Sequence, residues 1–350
     1  MIKDVGVYSN NNKGNIRLNG NESPIGISED KALDLLYSLK NIELNRYPDS
    51  DGDALREAYS KYVEVKKENI IIGNGSDEMI NLVISKNISK GDKLLTVNPD
   101  FSMYDFYTNL NEGEVIKYKY EIDDGFNIEE FIKLGIERDV KLIIFSNPNN
   151  PTGYGFKIED IEKILESFKE KIVLVDEAYC EFYGESIVPY INEYKNLIVT
   201  RTLSKAFGLA ALRVGFLIAN KESIEELMKY KTPYNVNSIS QEIAVNVLRD
   251  RSNLNNNLDI ILSERGRMYK ELKKIEDKIS SLGSDINFKV YPSKANFIYG
   301  VTSMKDELIE ALKEEKIIIR NFNDNSFRIS IGLPEENEKV IEVINNLFLV

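Results

Sequence analysis

Thr200-Arg-Thr-Leu-Ser-Lys-Ala-Phe-Gly-Leu-Ala-Ala-Leu-Arg-Val-Gly-Phe216 follows the apolar run Asn196-Leu-Ile-Val199 and sets one lysine, Lys205, among small and hydroxyl-bearing residues. An amine on a flexible stem forms a Schiff base with a carbonyl when its surroundings keep part of it neutral, so Lys205 is the candidate nucleophile. Thr202 and Ser204 add two hydroxyl donors and Arg213 a guanidinium fork. A doubly charged phosphate needs several such donors, which fits an aldehyde cofactor that bonds to Lys205 and carries a phosphate group. A Ser-Lys pair alone reads equally as a loop with a solvated lysine, and the rest of the chain has to decide.

The 350 residues exceed one minimal core and suit a large domain plus a smaller one. With 42% hydrophobic and 29% charged residues the composition is that of an ordinary soluble globular protein. No stretch approaches the roughly 18 apolar residues of a membrane span. The segment Met1 to Gly14 lacks the apolar core of a signal peptide, so the expected location is cytoplasmic. Cys180 is the single cysteine, which rules out an internal disulfide and a thiolate metal cluster. A net charge of -12 argues against non-specific nucleic-acid binding, which is driven by neutralising phosphates. The chain has no histidine, so Ser-His-Asp triads and histidine metal sites are excluded, and proton transfer falls to Lys, Asp, Glu or Tyr.

In chain order, Leu18-Asn-Gly-Asn-Glu-Ser-Pro-Ile-Gly26 is rich in turn formers and reads as a surface loop. An amphipathic stretch from Lys31 to Leu39 then leads to the turn Asn45-Arg-Tyr-Pro-Asp49. Asn69-Ile-Ile-Ile-Gly73 is a short buried strand, and Met79, Ile80, Leu82 and Val83 recur at helical spacing after Asn74-Gly-Ser-Asp-Glu78. A helix start there aims free N–H groups at an anion, so Gly75, Ser76 and Asp77 are candidates to cradle a phosphate, or Ser76 or Asp77 simply caps the helix. Further strands are expected at Lys93–Asn98, Val115–Tyr120, Lys141–Ser146 and Lys171–Val175. The irregular turn Asn147-Pro-Asn-Asn-Pro-Thr-Gly153 sits at a strand's carboxyl end, where open α/β sheets bind ligands. Asp176 follows five strand residues, and a buried acid calls for a cation; a protonated pyridine nitrogen is one, and a helix to cap is the alternative. A long helix is expected from Ser238 towards Lys278, then strands near Phe288, Asn296, Ile317 and Phe327. Two of these carry arginines, Arg320 and Arg328, among apolar residues. Pyridoxal 5'-phosphate, an aldehyde with a pyridine ring and a phosphate, suits Lys205, Asp176 and the hydroxyl cluster together.

These segments resemble the aspartate-aminotransferase-like enzymes that use this cofactor. Ser-Lys-Ala-Phe-Gly-Leu-Ala-x-Leu-Arg, Asn-Glu-x-Pro and Tyr234-Asn-Val-Asn-Ser look most like histidinol-phosphate aminotransferases, apart from Ala211, where those relatives usually carry glycine. The resemblance runs from Asn19 to Gly332. It implies a three-layer α/β sandwich with a mainly parallel sheet and a smaller α+β C-terminal domain. The division expected is a covering arm over 1–40, a cofactor-binding domain over 41–240 and a small domain over 241–350. It further implies that Asn21 belongs to the cover segment, that Tyr47 reaches the cofactor phosphate of a neighbouring subunit in a homodimer, and that Tyr104 stacks on the pyridine. Asn150 and Tyr179 would bond the ring hydroxyl oxygen from two sides. Arg328 would grip the substrate carboxylate, with Arg320 serving a second anionic group. The implied reaction moves an amino group to 2-oxoglutarate, without a metal, from histidinol phosphate or, less well, an aromatic amino acid. A phosphothreonine decarboxylase of the same fold is the alternative, and a catalytically silent binding protein a more remote one.

Overall fold

The computed structural model describes residues 14–283 and 285–349. The reading of residues 1–13 lies outside the described residues. The strands are β1 (Ile16–Leu18), β2 (Ile70–Asn74), β3 (Lys93–Asn98), β4 (Glu114–Lys119), β5 (Leu142–Ser146) and β6 (Ile172–Asp176). β7 (Leu197–Thr202), β8 (Val214–Ala219), β9 (Phe288–Tyr291), β10 (Phe297–Thr302), β11 (Ile317–Asn321) and β12 (Ser326–Ser330) follow.

One sheet has seven strands in the order β2-β8-β7-β6-β5-β3-β4. Its strands are parallel except β8, which runs against both β2 and β7. The continuous apolar runs of β5 and β6 are explained by burial on both faces. Alternate residues point to opposite sides of a strand. Leu142, Ile144 and Leu174 pack with Met79, Ile80 and Val83 of the helix Ser76–Asn87 and Ile224 of the helix Lys221–Met228. Their neighbours Ile143, Phe145, Val173 and Val175 join the other core, with Leu55 of the helix Asp53–Val63 and Ile161 of the helix Ile158–Ser167. The result is the three-layer sandwich expected from the sequence.

The strand order places the site. From β3 the chain steps outward to β4, whereas β5, β6 and β7 step the other way, so a topological switch lies between β3 and β5. The turns that leave β3 at Asn98 and β5 at Ser146 flank the crevice that such a switch opens at the strands' carboxyl ends.

The second sheet has five strands in the order β1-β11-β12-β10-β9, with β1 parallel to β11 and the rest antiparallel. The strand β1 was not read from the sequence: three residues before a Gly-rich loop carry no usable pattern. It ties the N-terminal segment into a sheet otherwise built from residues 288–330. The long helix expected from Ser238 to Lys278 is two, Ser238–Arg249 and Ser252–Ser281. Asp250 between them is extended and accepts a hydrogen bond from Ser252 N at 3.0 Å, which gives the second helix its own start. Among the described residues no helix is long and apolar enough to cross a membrane, and no cluster of metal-ligating side chains forms.

Candidate active site

A cavity opens at the carboxyl ends of β5, β6 and β7, and its walls hold Ser76, Asp77, Asn150, Asp176, Tyr179, Thr202, Ser204, Lys205 and Arg213 from the sequence reading. Strand register explains the convergence: Ser146 lies opposite Asp176, Asp176 opposite Thr200, and Thr202 opposite Gly215.

At the deep end, Asp176 is 3% exposed. Tyr104 OH donates to its Oδ2 at 2.9 Å and Thr200 Oγ1 to its Oδ1 at 3.1 Å. Burial raises its pKa to about 6 against these two hydrogen bonds, and the charge of Asp77 adds to the rise. A carboxylate so desolvated is suited to a cationic partner. Just beneath, Arg201 clamps Glu177 through Nε at 2.9 Å and Nη2 at 2.7 Å, and Ile187 N donates to the same carboxylate at 2.7 Å. This buried pair ties β7 to the segment after β6.

At the other end, the first turn of the helix Ser76–Asn87 meets Thr202, Ser204 and Arg213. Thr202 Oγ1 and Ser204 Oγ are 2.9 Å apart, and Arg213 Nη1 is 3.5 Å from Ser204 Oγ. Two glycines make the approach possible. A Cβ on Gly75, whose φ is +83°, would stand 2.6 Å from Arg213 Nη2, and one on Gly215 would stand 2.2 Å from Ser76 N. Arg213 itself has a left-handed backbone, φ 54°, an uncommon conformation for a residue with a side chain.

Lys205 lines the same cavity. Its Nζ donates to Gly20 O at 2.9 Å and sits 5.6 Å from the centre of the Tyr179 ring. The segment Asn19–Asn21 crosses here, and each of its carbonyls is bound: Asn19 O by Arg328 Nη2 at 2.8 Å, Gly20 O by Lys205, and Asn21 O by Asn296 Nδ2 at 3.1 Å. Asn21 Nδ2 donates to Tyr179 OH at 2.9 Å, and Ser330 Oγ to Asn21 Oδ1 at 2.9 Å. Arg328, 5% exposed, also bonds Asn150 Oδ1 through Nη1.

Two sequence expectations, those for Tyr104 and Arg320, are displaced. Of Phe101 and Tyr104, it is Phe101 that lines the cavity wall, while Tyr104 is fully buried behind it and spends its hydroxyl on Asp176. The two rings stand edge to face at 5.7 Å. Arg320 does not line the cavity; it pairs in register with Arg328, and its guanidinium lies over the Phe322 ring at 5.7 Å. Tyr47 is 81% exposed and stacks on Tyr234 at 4.7 Å, outside the cavity of its own chain. Ser146 and Thr200 were missed: Ser146 ends β5 on the cavity wall, and Thr200 lies opposite Asp176 and bonds its carboxylate. Asp100, missed as well, accepts from Ser146 N at 3.2 Å and Phe101 N at 2.8 Å, and desolvation raises it to about 8.

The model of the family described as aminotransferase class I and II matches residues 13–344. A histidinol-phosphate aminotransferase of Clostridium novyi is 43% identical over 349 residues, 98% of this chain and 94% of that one. The chain belongs to the histidinol-phosphate aminotransferase family of class I and II aminotransferases. Among solved structures, this aminotransferase is similar to the histidinol-phosphate aminotransferase of Clostridium acetobutylicum, with a TM-score of 0.83 at 27% identity over 95% of this chain and 98% of that one. The Sinorhizobium meliloti enzyme in complex with pyridoxal-5'-phosphate shares the fold, with a TM-score of 0.82 at 21% identity over 95% and 91% of the two chains. So does an L-threonine-O-3-phosphate decarboxylase of Porphyromonas gingivalis, with a TM-score of 0.77 at 21% identity over 95% and 99%.

Proposed function

We propose that the chain transfers the amino group of L-histidinol phosphate to 2-oxoglutarate, using pyridoxal 5'-phosphate held on Lys205. One observation carries this reading: a lysine amine, a desolvated carboxylate and a cluster of phosphate donors line one cavity. The residues fit the cofactor. The first turn of the helix Ser76–Asn87, Thr202, Ser204 and Arg213 suit its phosphate, Phe101 and Ala178 its flat ring, and Asn150 and Tyr179 its hydroxyl oxygen. Bound there, it supplies an electron sink for the charge that develops at the substrate carbon bearing the amine.

Asp176 would keep the ring nitrogen protonated, and a cation there would draw the carboxyl back towards its ionised form. Tyr104 and Thr200 hold that carboxylate in one orientation. Lys205 would hold the cofactor's aldehyde and, as a free amine, would take up on Nζ the proton that leaves the substrate carbon. Arg328 takes the donor's phosphate in one half-reaction and a 2-oxoglutarate carboxylate in the other, because one guanidinium fork serves either oxyanion. Asn150 aligns that fork. Aromatic amino acids are weaker donors in this reading.

A homodimer completes the site. Tyr47 and Tyr234 form an exposed stacked pair, and Leu33, Leu36, Tyr37 and Leu44 are exposed in the same N-terminal part of the chain. That much apolar surface suits an interface. Tyr47 then reaches the phosphate end of the partner's cavity. Mixing Tyr47→Phe with Lys205→Ala protein under subunit exchange should restore activity, since one cavity of the mixed dimer carries both changes and the other neither; a monomer by light scattering would end this part.

Two measurements test the main reading. Borohydride reduction and peptide mapping should place the cofactor on Lys205, and a label on another lysine would overturn the site. Specificity constants with 2-oxoglutarate should be highest for histidinol phosphate over phenylalanine, tyrosine and phosphothreonine. Release of carbon dioxide from phosphothreonine without glutamate formation would establish the decarboxylase instead.

A further inference from the structure

The phosphate end of the cavity holds an acid that the transfer chemistry leaves unused. Asp77, the second residue of the helix Ser76–Asn87, turns its carboxylate to Arg213, with Oδ2 at 3.5 Å from Nη2. Both side chains remain part-exposed, at 40% and 47%. The missing side chain of Gly75 and the left-handed backbone of Arg213 bring the guanidinium against this helix end. The carboxylate therefore occupies the cation that a phosphate needs. Its ionisable surroundings are mixed: Arg213 and Lys205 are the cations, while Asp176, Tyr107 and Tyr179 face the same charge. Desolvation raises its pKa, with Arg213 and then Lys205 opposing the rise.

We propose that Asp77 is a stand-in anion, which holds Arg213 in the cofactor-free protein and releases it, taking up a proton from solvent, when a phosphate-like dianion arrives. The physical reason is that a dianion and a carboxylate cannot share one guanidinium at close range without strong repulsion, and protonating the carboxylate removes it. The carboxylate gains one proton and no other bond changes. Asp77 is thus a positioning residue for Arg213, and it makes anion affinity at this end depend on pH.

This inference rests on the cavity being the seat of a phosphate-bearing cofactor, and its test avoids the cofactor. Sulfate is the probe, because it stays a dianion throughout the range. Titrate cofactor-free protein with sulfate by calorimetry from about pH 5.5 to about pH 8.5, in buffers of different ionisation enthalpy. Wild-type affinity should rise ~10-fold as the pH falls, with a proton taken up on binding. Asp77→Asn should bind sulfate ~10-fold more tightly than wild type at the upper pH and lose most of that proton uptake. Asp176 titrates in the same cavity but is present in both proteins, so the difference between them isolates Asp77. Asp77→Ser, checked for folding by its melting curve, repeats the comparison without an amide that could bond Arg213 in place of the acid. Weaker or equal sulfate binding in both variants at the upper pH, or unchanged proton uptake, would overturn the proposal. A failed Lys205 label would instead overturn the cofactor reading, so the two failures are distinct.

Discussion

Asp176 at the deep end of the cavity is 3% exposed and depends on Tyr104 and Thr200 for its hydrogen bonds, whereas Asp77 and Arg213 at the other end keep 40% and 47% of their side chains in solvent. Water reaches part of the second pair, so desolvation costs its charges less and they are freer to change partners. The protein alone solvates the first, so its charge is costly until a cation arrives. One end is thus built to tune a protonation state, and the other to exchange anions. The comparison predicts which substitutions act strongly.

The largest effect belongs to Asp176→Asn, which should lower kcat on the order of 10^3-fold as the ring nitrogen loses its proton partner. The same change should stabilise the cofactor-free protein. The folded pKa, about 6, lies above the ordinary 3.8, so the native state binds more protons between these values and stability is lost as pH rises through them. Melting or urea curves near pH 7 should favour the Asn variant by about 3 kcal/mol, and the gap should close below about pH 4. A variant no more stable than wild type near neutral pH would show that Asp176 is not desolvated.

Arg328→Ala comes next. It removes a buried cation that engages Asn150 and Asn19, and it should depress both half-reactions by roughly two orders of magnitude. Single-turnover rates with each substrate check this, and a loss confined to one half-reaction would separate the oxyanions that it is proposed to serve in turn.

Tyr104→Phe should cost about tenfold in kcat, because the hydrogen bond it removes holds the Asp176 pKa down. The acidic limb of the pH–rate profile should move to higher pH. An unchanged limb would mean that the ring, rather than the hydroxyl, is what matters at this position. An equally modest effect, on affinity rather than turnover, is expected from Arg213→Gln. Cofactor affinity should fall by only about tenfold, and wild-type affinity should weaken with added salt as an exposed pair's does. A loss as large as that of Asp176→Asn would erase the distinction between the two ends.

Lys205, Asp176, Asn150 and Arg213 were legible in the sequence because each stands beside a local signal that needs no long-range information. A strand buried on both faces must be continuously apolar, so the polar residue that ends it is conspicuous, as Asp176 is after Ile172–Val175. Apolar runs likewise marked β2, β3, β5 and the start of β7. Phe101 precedes the helix Met103–Leu110 and Tyr104 lies in its first turn, and only the position of β6 decides which ring meets the cavity and which hydroxyl meets Asp176. The place of β1 in the second sheet, the carbonyls of Asn19–Asn21 across Lys205 and Arg328, and the Arg213–Asp77 pair belong to the tertiary structure alone. Local sequence sets backbone preference and which faces must be buried; contacts such as Lys205 to Gly20, 185 residues apart, exist only once the two sheets have folded and met.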